Sequence, residues 1–347
     1  MTTANDRSPT PMLLVSGFLG SGKTTLVRNL LLDPRAGEVA VIVNEFGEVG
    51  IDHHLVRKTD ARTTLLHNGC VCCSMRDDLS EALRELLSQR ERGTIPYFRR
   101  VVIETTGLAD PAPILHTVTA EPVLRNHYRI ERVMTTIDAV SGAANLDIYG
   151  EALRQVAAAD LLVVTKQDLA PPAASIALKE KLRAINPAAD IVDASFGNID
   201  FAPLLAEDPL RRGMGLEFAA GALREGGEAR GAGVAAGPDF VHHTSGRVFS
   251  RCFVFERPLD WQMFGIWLTM LLHRHGAQIL RLKGLLNVGE GRGPLLLEGV
   301  QHVIHAPRHL REWPDDDRRS RIVFIMRDLD PAQVEASLSA FQDVAAI

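Results

Sequence analysis

Short apolar runs and longer segments with helical periodicity alternate through the first two hundred residues. Each run is rich in Val, Ile or Leu and has little polar alternation, which is typical of strands buried on both faces of a parallel sheet. The predicted strands are Met12–Ser16, Val39–Val43, Val101–Ile103, Val133–Ile137 and Leu161–Thr165. The predicted helices are Thr24–Leu32, Asp77–Arg90, Ala112–Thr119, Gly150–Ala158 and Ser175–Ala184. The alternation predicts a doubly wound α/β fold with a mostly parallel sheet.

The pattern changes after residue 246, where strands are grouped together and a helix is predicted near each end of the group. The predicted strands are Phe249–Phe255, Ile279–Val288, Leu295–His305 and Arg321–Arg327, and the predicted helices are Trp261–His273 and Pro331–Phe341. This grouping predicts a smaller α+β domain. The segment Gly221–Gly237 is rich in Gly and Ala, which indicates a flexible linker. We therefore predict domains at 11–205 and 246–347, joined by a linker at 206–245.

Composition narrows the class of protein. The chain has 347 residues, 46% of them hydrophobic, and a net charge of −5, so it lacks the positive excess of a nucleic-acid-binding protein. The longest apolar stretch, Trp261–Leu272, is shorter than the roughly 20 residues of a membrane-spanning helix. The polar N-terminus does not resemble a secretory signal. We expect a cytoplasmic protein with no nucleic-acid or membrane partner.

The segment Gly17–Thr24 has the pattern G-x-x-x-x-G-K-[ST], between a predicted strand and a predicted helix. Glycines there let backbone N–H groups converge on phosphate oxygens at the positive end of a helix. This context is typical of the P-loop NTPase fold. Lys23 is expected to reach the β- and γ-phosphates, and the Thr24 hydroxyl to bind Mg²⁺. The predicted phosphate-binding residues are Gly17, Gly20, Ser21, Gly22, Lys23, Thr24 and Thr25.

A second motif, Thr165-Lys-Gln-Asp168, follows a predicted strand and bears on the base. A carboxylate at Asp168 can accept hydrogen bonds from N1–H and the 2-amino group of guanine, whereas adenine offers neither donor. The stem of Lys166 can cover one face of the base. GTPases usually have Asn where this chain has Thr165, which weakens the match. We therefore favour the interpretation that this motif binds the guanine of GTP and GDP. The alternative is that Lys166 and Asp168 are an ordinary surface pair after a strand.

Acidic residues after two further strands are candidates for the hydrolytic machinery. Glu104 can join the Mg²⁺ shell or orient the attacking water, and Gly107 can donate its N–H to the γ-phosphate. Glu45 and Glu48 lie in a second candidate nucleotide-sensing loop, where they can contact Mg²⁺, water or a second metal. The predicted catalytic residues are Lys23, Glu45, Glu104 and Gly107.

Three of the four cysteines, Cys70, Cys72 and Cys73, fall within four residues, in a turn between a predicted strand and a helix. Three thiolates supply most of a tetrahedral Zn²⁺ site, with a fourth ligand from elsewhere. Cu(I) binding, a redox disulfide and a buried apolar cluster are the alternatives. Cys252 lies alone in a strand pattern and is predicted to be a core residue.

Together these motifs resemble the CobW-like GTPases, a family of metal chaperones related to the nickel-insertion GTPases. The resemblance rests on Gly17-FLGSGKTT, Val43-NEFGE, Asn68-GCVCC, Glu104-TTGLADP and Thr165-KQD, and in the second domain on Arg281-LKGLLNV and Leu297-EGVQHV. It implies slow GTP hydrolysis and delivery of a metal, often Zn²⁺ held by the three clustered cysteines, to a client protein.

The chain departs from this family pattern in two places. Val43 stands where some relatives have an extra Glu, which argues against a metal site that uses that residue. Only His242 and His243 remain where many relatives have a long His-rich tract, which argues against metal storage there.

Three functions fit these residues. The first is a GTPase that binds Zn²⁺ at Cys70, Cys72 and Cys73 and transfers it to a client. The second is GTP-dependent insertion of another metal, such as cobalt or iron, into an enzyme or a corrinoid. The third is a metal- or redox-sensing GTPase switch. The pattern names neither the client nor the oligomeric state.

Overall fold

The structure, a computed structural model, describes residues 9–43, 63–67, 75–205, 234–236, 240–242, 246–289 and 293–345. Its described strands form two sheets, one parallel and one antiparallel. The predicted combination of a P-loop NTPase-like α/β domain and a smaller α+β domain is thereby confirmed. No helix among these residues is long and apolar enough to cross a membrane.

The first sheet has seven described strands, all paired in parallel, in the order β3-β2-β4-β1-β5-β6-β7. Its strands are β1 (Thr10–Gly17), β2 (Val39–Val43), β3 (Thr63–His67), β4 (Arg100–Glu104), β5 (Tyr128–Asp138), β6 (Leu161–Thr165) and β7 (Asp190–Asp193). Strands β4 and β6 are buried at every residue, as the continuous apolar runs predict.

Helices connect the strands of this sheet. They are α1 (Lys23–Leu32), α2 (Met75–Arg92), α3 (Pro111–Ala120), α4 (Pro122–His127), α5 (Gly142–Ile148), α6 (Gly150–Ala158), α7 (Pro172–Ile185) and α8 (Ala202–Leu205). The start of α3 is set locally, because the Asp110 carboxylate accepts from the Ala112 N–H at 3.0 Å and Pro111 occupies the first turn. The pattern did not predict α4 and α5.

The second sheet has eight described strands, paired antiparallel. They are β8 (Val234–Ala236), β9 (Phe240–His242), β10 (Gly246–Phe255), β11 (Ile279–Leu286), β12 (Leu295–Val300), β13 (Val303–Ile304), β14 (Arg308–His309) and β15 (Ser320–Arg327). Two helices, α9 (Trp261–His275) and α10 (Pro331–Ala345), complete this domain. Strands β8 and β9 pair with β10, so the linker predicted for 206–245 is too long at its carboxyl end.

Alternate residues of β10 are buried against different domains, because successive side chains of a strand point to opposite faces of the sheet. On β10, Phe253 and Phe255 pack with α9 and α10, whereas Cys252 and Val254 pack against α6 and α7 of the first domain. A single apolar cluster therefore spans both domains, and the C-terminal sheet has helices on both faces. Cys252 is buried within this cluster, as predicted, and burial raises the pKa of its thiol to about 12.

Candidate functional site

The phosphate loop begins where β1 ends, at the centre of the parallel sheet. Strands that follow β1 in the chain lie on both of its sides, with β4 next to it on one side and β5 on the other. At such a switch point the loops at the carboxyl ends of the two neighbouring strands run in opposite directions and leave a crevice between them. Gly17 has φ +143° and Gly22 has φ +95°, both in the region that favours glycine. A Cβ at Gly17 would lie 2.3 Å from Thr136 Oγ1, so the loop can follow this path only with glycine there.

Two hydroxyl groups hold the loop against the strands behind it. Ser21 Oγ donates to the Phe18 carbonyl at 2.6 Å and lies 2.6 Å from Thr136 Oγ1. Thr165 Oγ1 donates to the Ser21 carbonyl at 2.8 Å. Thr165, the residue that departs from the GTPase motif, thus ties the end of β6 directly to the phosphate loop.

Lys23 and the adjoining residues lie in the phosphate loop and in the first turn of α1. The Lys23 ammonium donates to the carbonyls of Gly17 at 3.0 Å and Phe18 at 3.2 Å, so it already lies over the loop. Gly20 is exposed in the loop, and Thr25 lies in the first turn of α1. The amino end of α1 is open to a phosphate because no side chain caps it.

Thr24 and Glu104 meet in the same crevice, although 80 positions separate them in sequence. Thr24 Oγ1 donates to Glu104 Oε1 at 2.6 Å, and Glu104 is buried at the end of β4. A hydroxyl and a carboxylate oxygen are ligands that suit Mg²⁺. The two predicted magnesium residues therefore have both the chemistry and the proximity that the ion requires.

The segment after Glu104 lies against the phosphate loop. A Cβ at Gly107 would lie 2.7 Å from the Leu19 backbone, so the two loops approach closely only because residue 107 is glycine. Gln155 on α6 fixes this segment from behind, because its Nε2 donates to the carbonyls of Gly107 at 3.1 Å and Ala109 at 3.0 Å. The predicted donation from Gly107 to a γ-phosphate stays a prediction.

The base-recognition motif follows β6, next to the end of β5. Lys166 has φ +54°, and its ammonium donates to Asp138 Oδ2 at 2.6 Å. Burial works to raise the pKa of Asp138, but hydrogen bonds from Lys166 and from the Val140 and Ser141 backbone outweigh it and hold that pKa below its usual value. Asp168 is exposed, so its carboxylate is accessible to a base.

Several predicted residues lie outside the described part of the chain. They are Glu45, Glu48 and the three clustered cysteines Cys70, Cys72 and Cys73. Among the residues that the structure describes, no group of three or more His, Cys, Asp or Glu side chains forms a metal site. The proposed zinc ligands therefore rest on the sequence motif.

Asp138 and Gln155 belong to the site and were not predicted. A sequence signal for Asp138 exists, because it is a carboxylate at the carboxyl end of a buried strand, where α/β proteins place their functional groups. Gln155 carries no such signal. It lies on an otherwise apolar helix face, and only the packing of α6 shows which loop it contacts.

Comparison with known families matches both halves of the chain. Residues 11–193 match the family described as CobW/HypB/UreG, nucleotide-binding domain. Residues 248–342 match the cobalamin synthesis protein cobW C-terminal domain. The two matches fall on the parallel-sheet domain and on the antiparallel-sheet domain, respectively.

Individual relatives extend over most of the chain. It is 32% identical to the zinc chaperone YjiA of Escherichia coli (strain K12), over 96% of this chain and 99% of that protein. It is 31% identical to the zinc-regulated GTPase metalloprotein activator 1 of Schizosaccharomyces pombe, over 55% of this chain and 47% of that protein. The crystal structure of Zn(II)-bound YjiA GTPase from E. coli superimposes with a TM-score of 0.66 at 28% identity, covering 96% of this chain and 99% of that one.

Proposed function

Because this chain belongs to the CobW/HypB/UreG family, we propose that it is a GTPase that binds Zn²⁺ at Cys70, Cys72 and Cys73 and transfers the ion to a client protein in a GTP-dependent step. The family is the one that the motifs predicted. GTP hydrolysis has the support of relatives described as GTPases. The zinc cargo has the support of a relative described as a zinc chaperone.

The contact between Thr24 and Glu104 is the observation that carries the hydrolytic half of this proposal. It joins the phosphate loop to the end of β4 at 2.6 Å. These two side chains would hold Mg²⁺, which neutralises negative charge on the β- and γ-phosphate oxygens when bound. Lys23 adds a positive charge above the same loop. Glu104 is the proposed group that orients the attacking water.

The base half of the site selects guanine. The Asp168 carboxylate accepts from the two N–H donors on the edge of guanine, and adenine, which lacks both donors, would leave that carboxylate unpaired against the base. Thr165 keeps this motif in register with the phosphate loop through the Ser21 carbonyl. Glu45 belongs to the proposed nucleotide-sensing loop on the strength of its sequence context.

The cargo half rests on the cysteine chemistry. Soft thiolate ligands in a C-x-C-C motif favour Zn²⁺, and deprotonated thiols are required, so affinity falls as the pH drops. The cysteine segment lies in sequence between Glu48 and Glu104, the two acidic segments proposed to respond to nucleotide. A change in bound nucleotide is therefore expected to change zinc affinity.

Zinc-competition titrations in the GDP and GTP-analogue states test the proposal. Zinc affinity is expected to differ between the two states, and equal affinities would contradict GTP-dependent transfer. Cys72→Ser should abolish high-affinity zinc binding and leave GDP binding intact. Cys252→Ala is the matched control, because that thiol is buried in the core and its raised pKa keeps it protonated. Full zinc affinity in the Cys72→Ser protein would contradict the site assignment.

A second candidate function is insertion of a metal such as cobalt or iron into one enzyme or a corrinoid. It is favoured by the relative described as a metalloprotein activator. Metal analysis of the purified protein separates the two candidates, since a chaperone for zinc retains zinc in preference to the other ions. A Cys70–Cys72 disulfide that cycles without bound metal would favour a redox switch instead.

A further inference from the structure

Phe196 presents a large apolar ring to solvent next to the nucleotide site. Its side chain is 77% exposed, more than any other large apolar side chain in the described part of the chain. Its backbone is left-handed, with φ +52°, a conformation that bulky residues seldom adopt and that is concentrated at ligand sites. Lys166, at the end of the neighbouring strand, shares this conformation with φ +54°.

The loop that carries Phe196 has a fixed position. The N–H groups of Ser195 and Asn198 donate to each other's carbonyls at 3.1 Å and 2.9 Å, which closes a tight turn after β7. Asn29 on α1 donates from Nδ2 to the Phe196 carbonyl at 3.1 Å. A Cβ at Gly197 would lie 2.6 Å from Thr25 Cγ2, so the turn packs directly on the first turns of α1. The backbone is thus held firmly while the ring is left uncovered.

This turn lies beside the turn that carries Lys166 and Asp168. Strands β6 and β7 are neighbours, and the Ala194 N–H donates to the Val164 carbonyl at 2.8 Å, so the turns after both strands emerge side by side. The phosphate loop ends at Thr25, which touches Gly197. A base whose phosphates lie on the phosphate loop and whose edge meets Asp168 must therefore pass close to Phe196.

We propose that the Phe196 ring stacks on the guanine base, opposite the face covered by the Lys166 stem. This inference rests on the proposed function, which supplies the base. Stacking on an aromatic ring depends on the π-face that every base has, so Phe196 contributes affinity and Asp168 contributes the choice of base. Ligand binding would also bury the exposed ring.

Calorimetric titration of the full-length chain with GDP and ADP, in the presence of Mg²⁺, tests this division of roles. Phe196→Ala should weaken GDP binding about 5- to 100-fold, the range measured when an aromatic ring stacked on a base is removed, and leave the GDP-to-ADP ratio unchanged. Phe196→Trp should retain the affinity and add an indole emission that GDP quenches. Ile176→Ala removes another exposed apolar side chain, on α7, and should change neither quantity.

A purely structural role for Phe196 is distinguished by Phe196→Gly. Glycine accepts the left-handed backbone without strain, so this variant should keep or raise the melting temperature while it loses nucleotide affinity. GDP affinity equal to wild type in both Phe196→Ala and Phe196→Gly would overturn the stacking proposal, as would a melting temperature that falls in parallel with affinity. A wild-type chain that binds no GDP would instead overturn the proposed function and this inference with it.

Discussion

At the scale of single residues, the choice of base is expected to depend on Asp168. Asn at this position retains one acceptor and gains an N–H donor, which fits the second carbonyl of xanthine better than the 2-amino group of guanine. Asp168→Asn should therefore lose about 100-fold in affinity for GDP and gain affinity for xanthosine diphosphate. Titrations with the two nucleotides measure this exchange. Unchanged preference for GDP in the variant would mean that another group reads the base.

How far the residues of the site could be predicted depended on how local their interactions are. The phosphate loop is specified by eight consecutive residues, and in the structure Lys23 lies over this loop while Thr24 contacts Glu104. Asp138 and Gln155 act through partners 28 and 48 positions away. Their contacts depend on which strands are neighbours and on how α6 packs, and a single sequence does not contain that information.

At the scale of elements, α6 is expected to control the loop after β4 through one side chain. Gln155→Leu removes the N–H group that donates to the Gly107 and Ala109 carbonyls and replaces it with an apolar side chain of similar size. The loop should then shift relative to the phosphate loop, and GTP hydrolysis should slow about 10- to 100-fold, because small misplacements of reacting groups are costly. GDP affinity should change little, since the base and phosphate contacts remain.

Single-turnover hydrolysis and GDP titration of the same preparation separate these two effects. Arg154→Met, at the position of α6 that precedes Gln155, is an informative control. It removes ion pairs to Asp110 at 3.0 Å and to Glu151 at 2.8 Å but leaves both loop carbonyls hydrogen-bonded to Gln155. Equal loss of hydrolysis in both variants would show that α6 acts through its overall packing rather than through Gln155.

The element predictions succeeded where periodicity was long and were wrong where a turn lacked its usual residues. The predicted strand Leu295–His305 is a hairpin, in which β12 and β13 pair at Val300 and Val303. Its turn places Gln301 at φ +52°, where Gly or Asn is usual. Apolar residues flank the turn on both sides, so the sequence shows no interruption. The position of this turn therefore depends on tertiary packing and not on a turn signal in the sequence.

At the scale of the whole molecule, a buried ion pair connects the two domains. Arg281 on β11 is 1% exposed, pairs with Asp160 before β6 and donates from Nη1 to the Ala158 carbonyl at 2.9 Å. Arg281→Met removes the nearest cation from buried Asp160 and a donor from the Ala158 carbonyl, and should lower the free energy of unfolding by about 3 kcal/mol. Arg319→Met breaks ion pairs within the C-terminal domain that are partly exposed, and should cost about 1 kcal/mol or less.

Urea unfolding of the two variants tests this difference. Adding Asp160→Asn to Arg281→Met should restore part of the lost stability, because it removes a buried charge that has lost its nearest cation. If the domains are coupled mainly through this pair, the Arg281→Met protein should also unfold in two steps. A single transition with wild-type stability would show that the shared apolar cluster is sufficient to join the domains.

The same interdomain contact should make the molecule sensitive to acid in two separate pH ranges. Burial opposes the charged form of Asp160, but the charges of Arg281 and Lys283 outweigh it and hold the pKa of that carboxyl below its usual value. The unfolded chain therefore takes up this proton first, and the stabilisation is lost as the pH falls below about 4.

His305 should also destabilise the fold as the pH falls, but in a higher pH range, because burial, only partly opposed by Glu298, lowers the pKa of its imidazole. Its stabilisation is complete above about pH 6.5 and declines below that value, by up to about 1.4 kcal/mol per pH unit. Urea unfolding between pH 8 and pH 3 should show both declines, with His305→Gln reducing the upper one and Asp160→Asn reducing the lower one, to which other carboxyl groups with a lowered pKa, such as Asp138, also contribute. An upper decline that is as steep in His305→Gln as in the wild-type chain would assign it to histidines outside this interface.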